Sequence, residues 1–218
     1  MKVALLYSGL VRTLEQTWPS IQLHLGRYQP DVYFYLNETT RADFVENLLH
    51  PKKMVVESDP NLPEHNYAER LGPGIRGLQN DLRQMYGMTQ VNRLCRSTGI
   101  AYDWVFRLRA DIEISQSPEP LESLDPNFIY LPKYNNWFGY SDRIGFGPQR
   151  LMDIYMERYT EFDTFMQDGG TVQMESYLAY YLRSHRMPIA RTCLLANLLR
   201  KDNFRDRPYW SLMWGDAL

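Results

Sequence analysis

The chain opens with a short apolar run, Val3-Ala4-Leu5-Leu6-Tyr7, that stops at Ser8-Gly9. From Arg12 to Tyr28 the apolar positions change period: Leu14, Trp18, Ile21 and Leu25 recur at helical spacing, so the pattern predicts strand, turn, helix. Asp31 to Asn37 (DVYFYLN) and Lys53 to Glu57 (KMVVE) read as second and third strands, with a helix between them near Arg41 to Leu49. Strands alternating with helices predict an α/β fold with a mixed, mostly parallel sheet flanked by helices. The stretch from Ser58 to Gly74, with Pro60, Pro63 and Pro73, reads as a long surface loop.

The second half continues the alternation. Leu78, Leu82, Met85, Leu94 and Cys95 share one helical stripe, predicting a long helix from Ile75 that ends near Ser97-Thr98-Gly99. Tyr102 to Ile114 (YDWVFRLRADIEI) alternates without a break, which predicts one strand. Trp104, Phe106, Leu108, Ala110 and Ile112 form its core face, and Arg107, Arg109, Asp111 and Glu113 an entirely charged one. Short strands are predicted at Phe128 to Pro132 and Arg143 to Phe146. They are followed by a helix carrying Met152, Tyr155, Met156, Tyr159 and Phe162, a helix over Gln173 to Ser184, and a short final strand at Pro188 to Arg191.

Composition narrows the class. With 218 residues and 44% hydrophobic against 23% charged positions, the chain is long enough for one sizeable core, and 1–218 reads as a single domain. A net charge of −2 offers no broad basic field for a nucleic-acid backbone, so any anion must be held locally. Two cysteines, Cys95 and Cys193, make no disulfide framework, and no apolar run is long enough for a membrane span; both fit a cytoplasmic protein or one domain of a longer one. Aromatic residues reach 14%, with 16 Tyr and 5 Trp. Their apolar faces and polar edges suit sugars and bases, although core stripes account for many of them. Trp137, Phe138 and Tyr140 form one aromatic cluster off the stripes, and Tyr209, Trp210 and Trp214 another.

Chemistry concentrates in Arg107-Leu108-Arg109-Ala110-Asp111-Ile112-Glu113. In an extended backbone its four charges point the same way, about 6.5 to 7 Å from one to the next. Asp111 and Glu113 can hold a hard divalent cation against a diphosphate, and Arg107 or Arg109 can bind phosphate oxygens or hold the carboxylates in place. A solvated strand face with alternating charges explains the same residues. Other chemistries lack their signatures: there is no His-x-x-x-His or Cys-x-x-Cys for zinc, no phosphate-binding loop ending in Gly-Lys-Ser/Thr, no Gly-x-Gly-x-x-Gly after the first strand, and no Gly-x-Ser-x-Gly.

Strand one ending in Ser8-Gly9 with Arg12 after it, the segment from Tyr102 to Asp111, Asp142-Arg143-Ile144-Gly145-Phe146-Gly147, and Glu175 opening a helix together resemble glycosyltransferases of the GT-A (Rossmann-like) fold. The branch they resemble carries Arg-x-Arg-x-Asp in place of Asp-x-Asp, and the resemblance runs from Lys2 to about Ile189. It implies a hexosyl- or deoxyhexosyltransferase of glycan or polysaccharide biosynthesis, moving a sugar from a nucleoside diphosphate donor to a hydroxyl of a glycan acceptor. By that carry-over Ser8, Gly9 and Arg12 line the nucleotide and its diphosphate, and Asn37 contacts base or ribose. Asp111, with Arg109 and Glu113, stands at the diphosphate, where a divalent cation (Mn²⁺ or Mg²⁺) is the expected cofactor. Arg109 occupies the first acid position of the motif, which leaves metal dependence open because a guanidinium can replace part of the ion's charge. Glu175 would face the acceptor and, in an inverting enzyme, act as general base, with Asp142 competing for the role, although a carboxylate in the first turn of a helix is also favoured by the helix dipole alone. The aromatic, amide-rich loop Asn135 to Tyr140 would meet the sugar. A non-catalytic carbohydrate- or nucleotide-binding module of the same fold is the alternative.

Overall fold

The buried runs of the first half assemble side by side. The computed structural model describes residues 1–58, 60–62 and 77–200 and the backbone of 205–206; most of the loop expected at 58–74, and the aromatic cluster Tyr209, Trp210 and Trp214, lie outside them. β1 (Val3–Gly9) lies between β2 (Asp31–Leu36) and β4 (Trp104–Arg109), parallel to both, with β3 (Lys53–Val56) parallel to β2 at the edge. The sheet continues through β7 (Gly145–Gly147) and β6 (Ile129–Pro132) to β8 (Ile189–Thr192), giving the order β3-β2-β1-β4-β7-β6-β8 with β7 the one antiparallel member. The molecule is therefore α/β, with a seven-stranded, mostly parallel mixed sheet flanked by helices, as the alternation predicts.

Helices cover both faces, which is why the central strands read as nearly continuous apolar runs. α1 (Leu14–Leu25) and α2 (Ala42–Leu49) pack Leu14, Ile21, Leu25, Val45 and Leu49 against Leu5, Tyr7, Phe34 and Phe106. On the other face α3 (Leu78–Arg96), α4 (Gln149–Met156), α5 (Phe162–Gln167) and α6 (Met174–Ser184) bury Leu82, Met85, Met152, Phe165 and Tyr177 against Leu6, Tyr33, Tyr35 and Val105. α3 comes unusually close to the sheet: a Cβ on Gly87 would stand 3.1 Å from both the Ser8 Cβ and the Tyr35 ring. Cys95 is buried on α3, and neither it nor Cys193 is in a disulfide. No helix among the described residues is long and apolar enough to cross a membrane.

Three expectations are corrected. The strand expected over Tyr102 to Ile114 breaks at Ala110-Asp111, and β5 (Ile112–Gln116) leaves the large sheet to pair antiparallel with β9 (Leu195–Leu199), which in turn pairs with β10 (Arg205–Asp206). The break is held from both sides: the Thr17 hydroxyl donates to the Ala110 carbonyl at 2.8 Å, and the Leu199 amide to the Asp111 carbonyl at 2.9 Å. The strand at 189–192 is consequently not the last one. The single helix expected through Met152 and Phe162 is divided into α4, a 3-10 turn at Arg158–Glu161 and α5. Tyrosine hydroxyls of α6 hold the division on both sides, Tyr181 donating to the Ile154 carbonyl of α4 at 2.8 Å and Tyr177 to the Arg158 carbonyl of the turn.

Candidate functional site

The strand alternation that places Arg107 and Arg109 on one face of β4 does place them together, but that face is covered rather than open to water, by α4 and the 142–143 segment at Arg107 and by Gln84 of α3 at Arg109. Arg107 is 1% exposed, and its Nη1 donates to the carbonyl of Asp142 and, at 2.7 Å, to that of Arg143. It fixes the backbone of the 142–143 segment and does not line the cleft. Glu113, beyond the strand break, stands on β5 in register with Asn197 and does not line it either.

The register of the parallel strands explains where the cleft lies. Ser8 is level with Tyr35 on one side and Arg109 on the other, and Gly9 is level with Leu36, so β1, β2 and β4 all end at one height. The crossovers after β1 and β2 run on one face of the sheet and α3 on the other, so the chain reverses between β1 and β4; open α/β sheets bind ligands at such a point. A cleft of about 360 Å³ sits there, lined from the strand ends by Ser8, Gly9, Arg12, Asn37, Arg109 and Asp111. Those six are residues the sequence singles out. The other wall is new: Asn80, Asp81, Arg83 and Gln84 from the first turns of α3, and Arg200 from the end of β9. The polar stripe Asn80-Asp81-Gln84 between the core residues Leu78, Leu82 and Met85 was the visible signal for that wall. Arg200 had none, because it comes from a strand too short to recognise.

A chain of hydrogen bonds links the cleft to the buried carboxylate Asp142. Arg109 grips Asp111 with two parallel bonds, Nε to Oδ1 at 2.8 Å and Nη2 to Oδ2 at 3.0 Å, and its Nη1 donates to Gln84 Oε1 at 2.8 Å. Gln84 Nε2 donates onward to Asp142 Oδ2 at 2.7 Å. Arg158, 2% exposed and stacked 4.6 Å over the Tyr155 ring, adds a further buried cation near Asp142. Burial acts to raise the Asp142 carboxyl, but Arg107, Arg158 and Arg109, with the Gln84 amide, outweigh it and hold it below the usual carboxylate range.

The ionised Asp142 acts on its acidic neighbours. Burial, followed by repulsion from Asp142, pushes Asp81 up to about 6, and the same two causes in the same order push Glu175 up to about 7. Glu175 sits in the first turn of α6, beside the cleft rather than in its lining. The Asn135 to Tyr140 loop is fastened to that helix end. The Tyr140 amide donates to the Glu175 carbonyl at 3.1 Å, and Gln173 Nε2 to the Trp137 carbonyl at 2.7 Å. Two ring-bearing residues of the loop face outward, Trp137 at 42% exposure and Phe138 at 84%.

The residues expected to hold a cation do not fit one. Both Asp111 oxygens are already engaged by Arg109, Arg200 Nη1 stands 3.8 Å from Oδ2, and Glu113 is not in the cleft. Among the described residues no group of three His, Cys, Asp or Glu side chains is placed to hold a metal ion. The chain matches no protein-family model and no curated protein, so the functional reading rests on this geometry.

Proposed function

We propose that the protein is a glycosyltransferase of the GT-A kind, which moves a sugar from a nucleoside diphosphate donor to a hydroxyl of a glycan acceptor. The observation that carries the reading is a cleft at the sheet's reversal point with four guanidinium groups, Arg12, Arg83, Arg109 and Arg200, in its lining. Guanidinium groups recognise phosphate oxygens in a bidentate way, and a diphosphate presents two such groups side by side. Asn37 supports a nucleotide at the same place: it is 7% exposed, lines the cleft, and its amide nitrogen has no hydrogen-bond partner, so a ligand acceptor would complete it.

The acceptor side is supported by Glu175 and the loop fastened to its helix. In the displacement, the acceptor oxygen forms a bond to the anomeric carbon as the bond from that carbon to the diphosphate oxygen breaks. The acceptor proton passes to the Glu175 carboxylate, whose affinity for a proton near neutral pH suits a general base. The charge that develops on the departing diphosphate is met by the guanidiniums, which are already in place. Trp137 and Phe138 offer flat apolar faces for a sugar ring.

Thermal denaturation with a panel of UDP-, GDP-, ADP-, CDP- and dTDP-sugars tests this directly, since a ligand of the native state raises the midpoint. At least one nucleotide series is expected to do so, and the matching donor is expected to release its nucleoside diphosphate when glycans are added. Binding without release from any donor would establish the non-catalytic module instead. Absence of any shift would remove the nucleotide reading.

A further inference from the structure

The charges in the cleft balance without a metal. Among the described residues the lining holds four arginines, Arg12, Arg83, Arg109 and Arg200, against two carboxylates, Asp81 and Asp111, an excess of two positive charges. A diphosphodiester, the form a nucleotide sugar takes, carries two negative ones. The Asp111 carboxylate, which would have to ligate a cation, is instead closed by the bidentate grip of Arg109 and approached by Arg200. A divalent ion at Asp111 would displace a charge-assisted pair and stand against guanidiniums on either side. Arg109, by contrast, is ready for an anion: its bonds to Asp111 and Gln84 use three of its five N–H groups and fix the plane of the fork, leaving one N–H on each terminal nitrogen.

Resting on the nucleotide-sugar reading of the cleft, we infer that the diphosphate is held by Arg12, Arg83, Arg109 and Arg200 with no bridging cation, and that Asp111 is a positioning residue for Arg109 rather than a metal ligand. The backbone is built for that role. The turn carrying Asp111 is fixed by Thr17 on the Ala110 carbonyl and by Leu199 on the Asp111 carbonyl. The second of these bonds also sets where Arg200, the next residue along, leaves β9. Arg83 is steadied in turn by its Nε bond to the Pro60 carbonyl at 3.0 Å. The strand break at Ala110-Asp111 thus aims two arginines at one ligand.

Titration calorimetry of the full chain with inorganic pyrophosphate and with UDP, GDP, ADP, CDP and dTDP, in EDTA and in Mn²⁺, tests the inference. The best ligand is expected to bind in EDTA within about threefold of its affinity in Mn²⁺, and Arg109→Gln and Arg200→Gln are each expected to weaken it roughly tenfold or more. Asp111→Asn, whose amide oxygen still accepts from Arg109 Nε, is expected to keep measurable binding in EDTA. Asp111→Ala, which leaves Nε without its acceptor, should bind more weakly than Asp111→Asn. Binding that requires Mn²⁺ and vanishes in Asp111→Asn would overturn the inference while leaving the nucleotide-sugar reading intact; equal binding by the two Asp111 variants would remove its positioning role. The comparison of EDTA with Mn²⁺ on the unmutated chain decides the metal question even where a variant fails to fold. No binding of any diphosphate under either condition would overturn both readings together.

Discussion

Glu175 is a half-buried carboxyl whose surroundings raise its affinity for a proton without closing it off from solvent. Burial, then the charge of Asp142, raise its carboxyl from 4.5 to about 7. As a general base it works only when ionised, so kcat/KM should rise with pH through about 7 and level off above it. Glu175→Gln should lose that limb together with about 10²- to 10⁴-fold of the turnover; full turnover in that variant would remove the role from Glu175, and Asp142, buried and held ionised by its arginines, is not placed to take it. The same shift makes a second, independent prediction about stability. A group whose proton is held more tightly in the folded state stabilises the fold fully below its unfolded value and loses that contribution as pH rises through the folded one. The wild-type protein should therefore lose stability relative to Glu175→Gln between pH 4.5 and about 7, read as denaturant midpoints at each pH. Asp81, raised to about 6, acts in the same direction, whereas Asp142 and Asp111, held low by their arginines, contribute stability that is lost only as pH falls through their depressed values.

At the scale of elements, the junction between the aromatic loop and α6 is the tightest point near the site. A Cβ on Gly139 would lie 1.9 Å from the Glu175 carbonyl oxygen and 2.7 Å from the Ser176 amide nitrogen, both backbone atoms that cannot rotate away. Gly139→Ala should therefore push the loop off the helix end, destabilise the protein by about 1–3 kcal/mol, and lower turnover through displaced Glu175; a variant with wild-type midpoint and rate would show that the contact is slack. This junction also marks what the chain's pattern can and cannot reveal. β1 to β3, α1 to α3 and α6 were legible because each keeps a single period over its length and ends at a turn residue. The break at Ala110-Asp111 was not, because β4 and β5 share the period of two and the alternation runs through the turn undisturbed. Arg107 looked solvent-facing for the same reason: alternation assigns a residue to a face, and only the packing of α4 and the 142–143 segment shows that the face is covered. β9, five residues of which Asn197 is the polar one, is too short for periodicity to tell strand from helix, so the arginine at its end stayed hidden, while Ser8, Gly9, Arg12 and Asn37 were named through the family resemblance, with which their place where strands stop agrees.

Across the whole molecule, charge and aromatic residues are both sorted rather than spread. Most rings are core: Phe106 and Phe146 stack with centroids 4.6 Å apart, and Tyr7 stacks on Phe34 at 5.5 Å. Among the described residues Trp137 and Phe138 are the aromatic residues most open to solvent, so the surplus over an ordinary composition is largely sheet packing with one outward patch beside Glu175. The charges show the converse. The chain as a whole carries −2, yet the cleft lining among the described residues carries an excess of positive charge. A ligand anion thus approaches a mildly repellent body and is drawn in only near the cleft, where the field of the four arginines dominates. Such a local attraction acts over roughly a Debye length, about 10 Å at 0.1 M salt and about 3 Å at 1 M. Pyrophosphate affinity should accordingly fall steeply, by roughly tenfold or more, as sodium chloride rises from about 0.05 M to about 0.5 M, mostly through a slower association rate. Arg200→Gln and Arg12→Gln should each flatten that dependence, because both arginines stand at the open side of the cleft and are more exposed than Arg109. Affinity indifferent to salt would mean that the anion is held by the buried fork of Arg109 and the strand-end amides alone, and that the outer arginines serve the fold rather than the ligand.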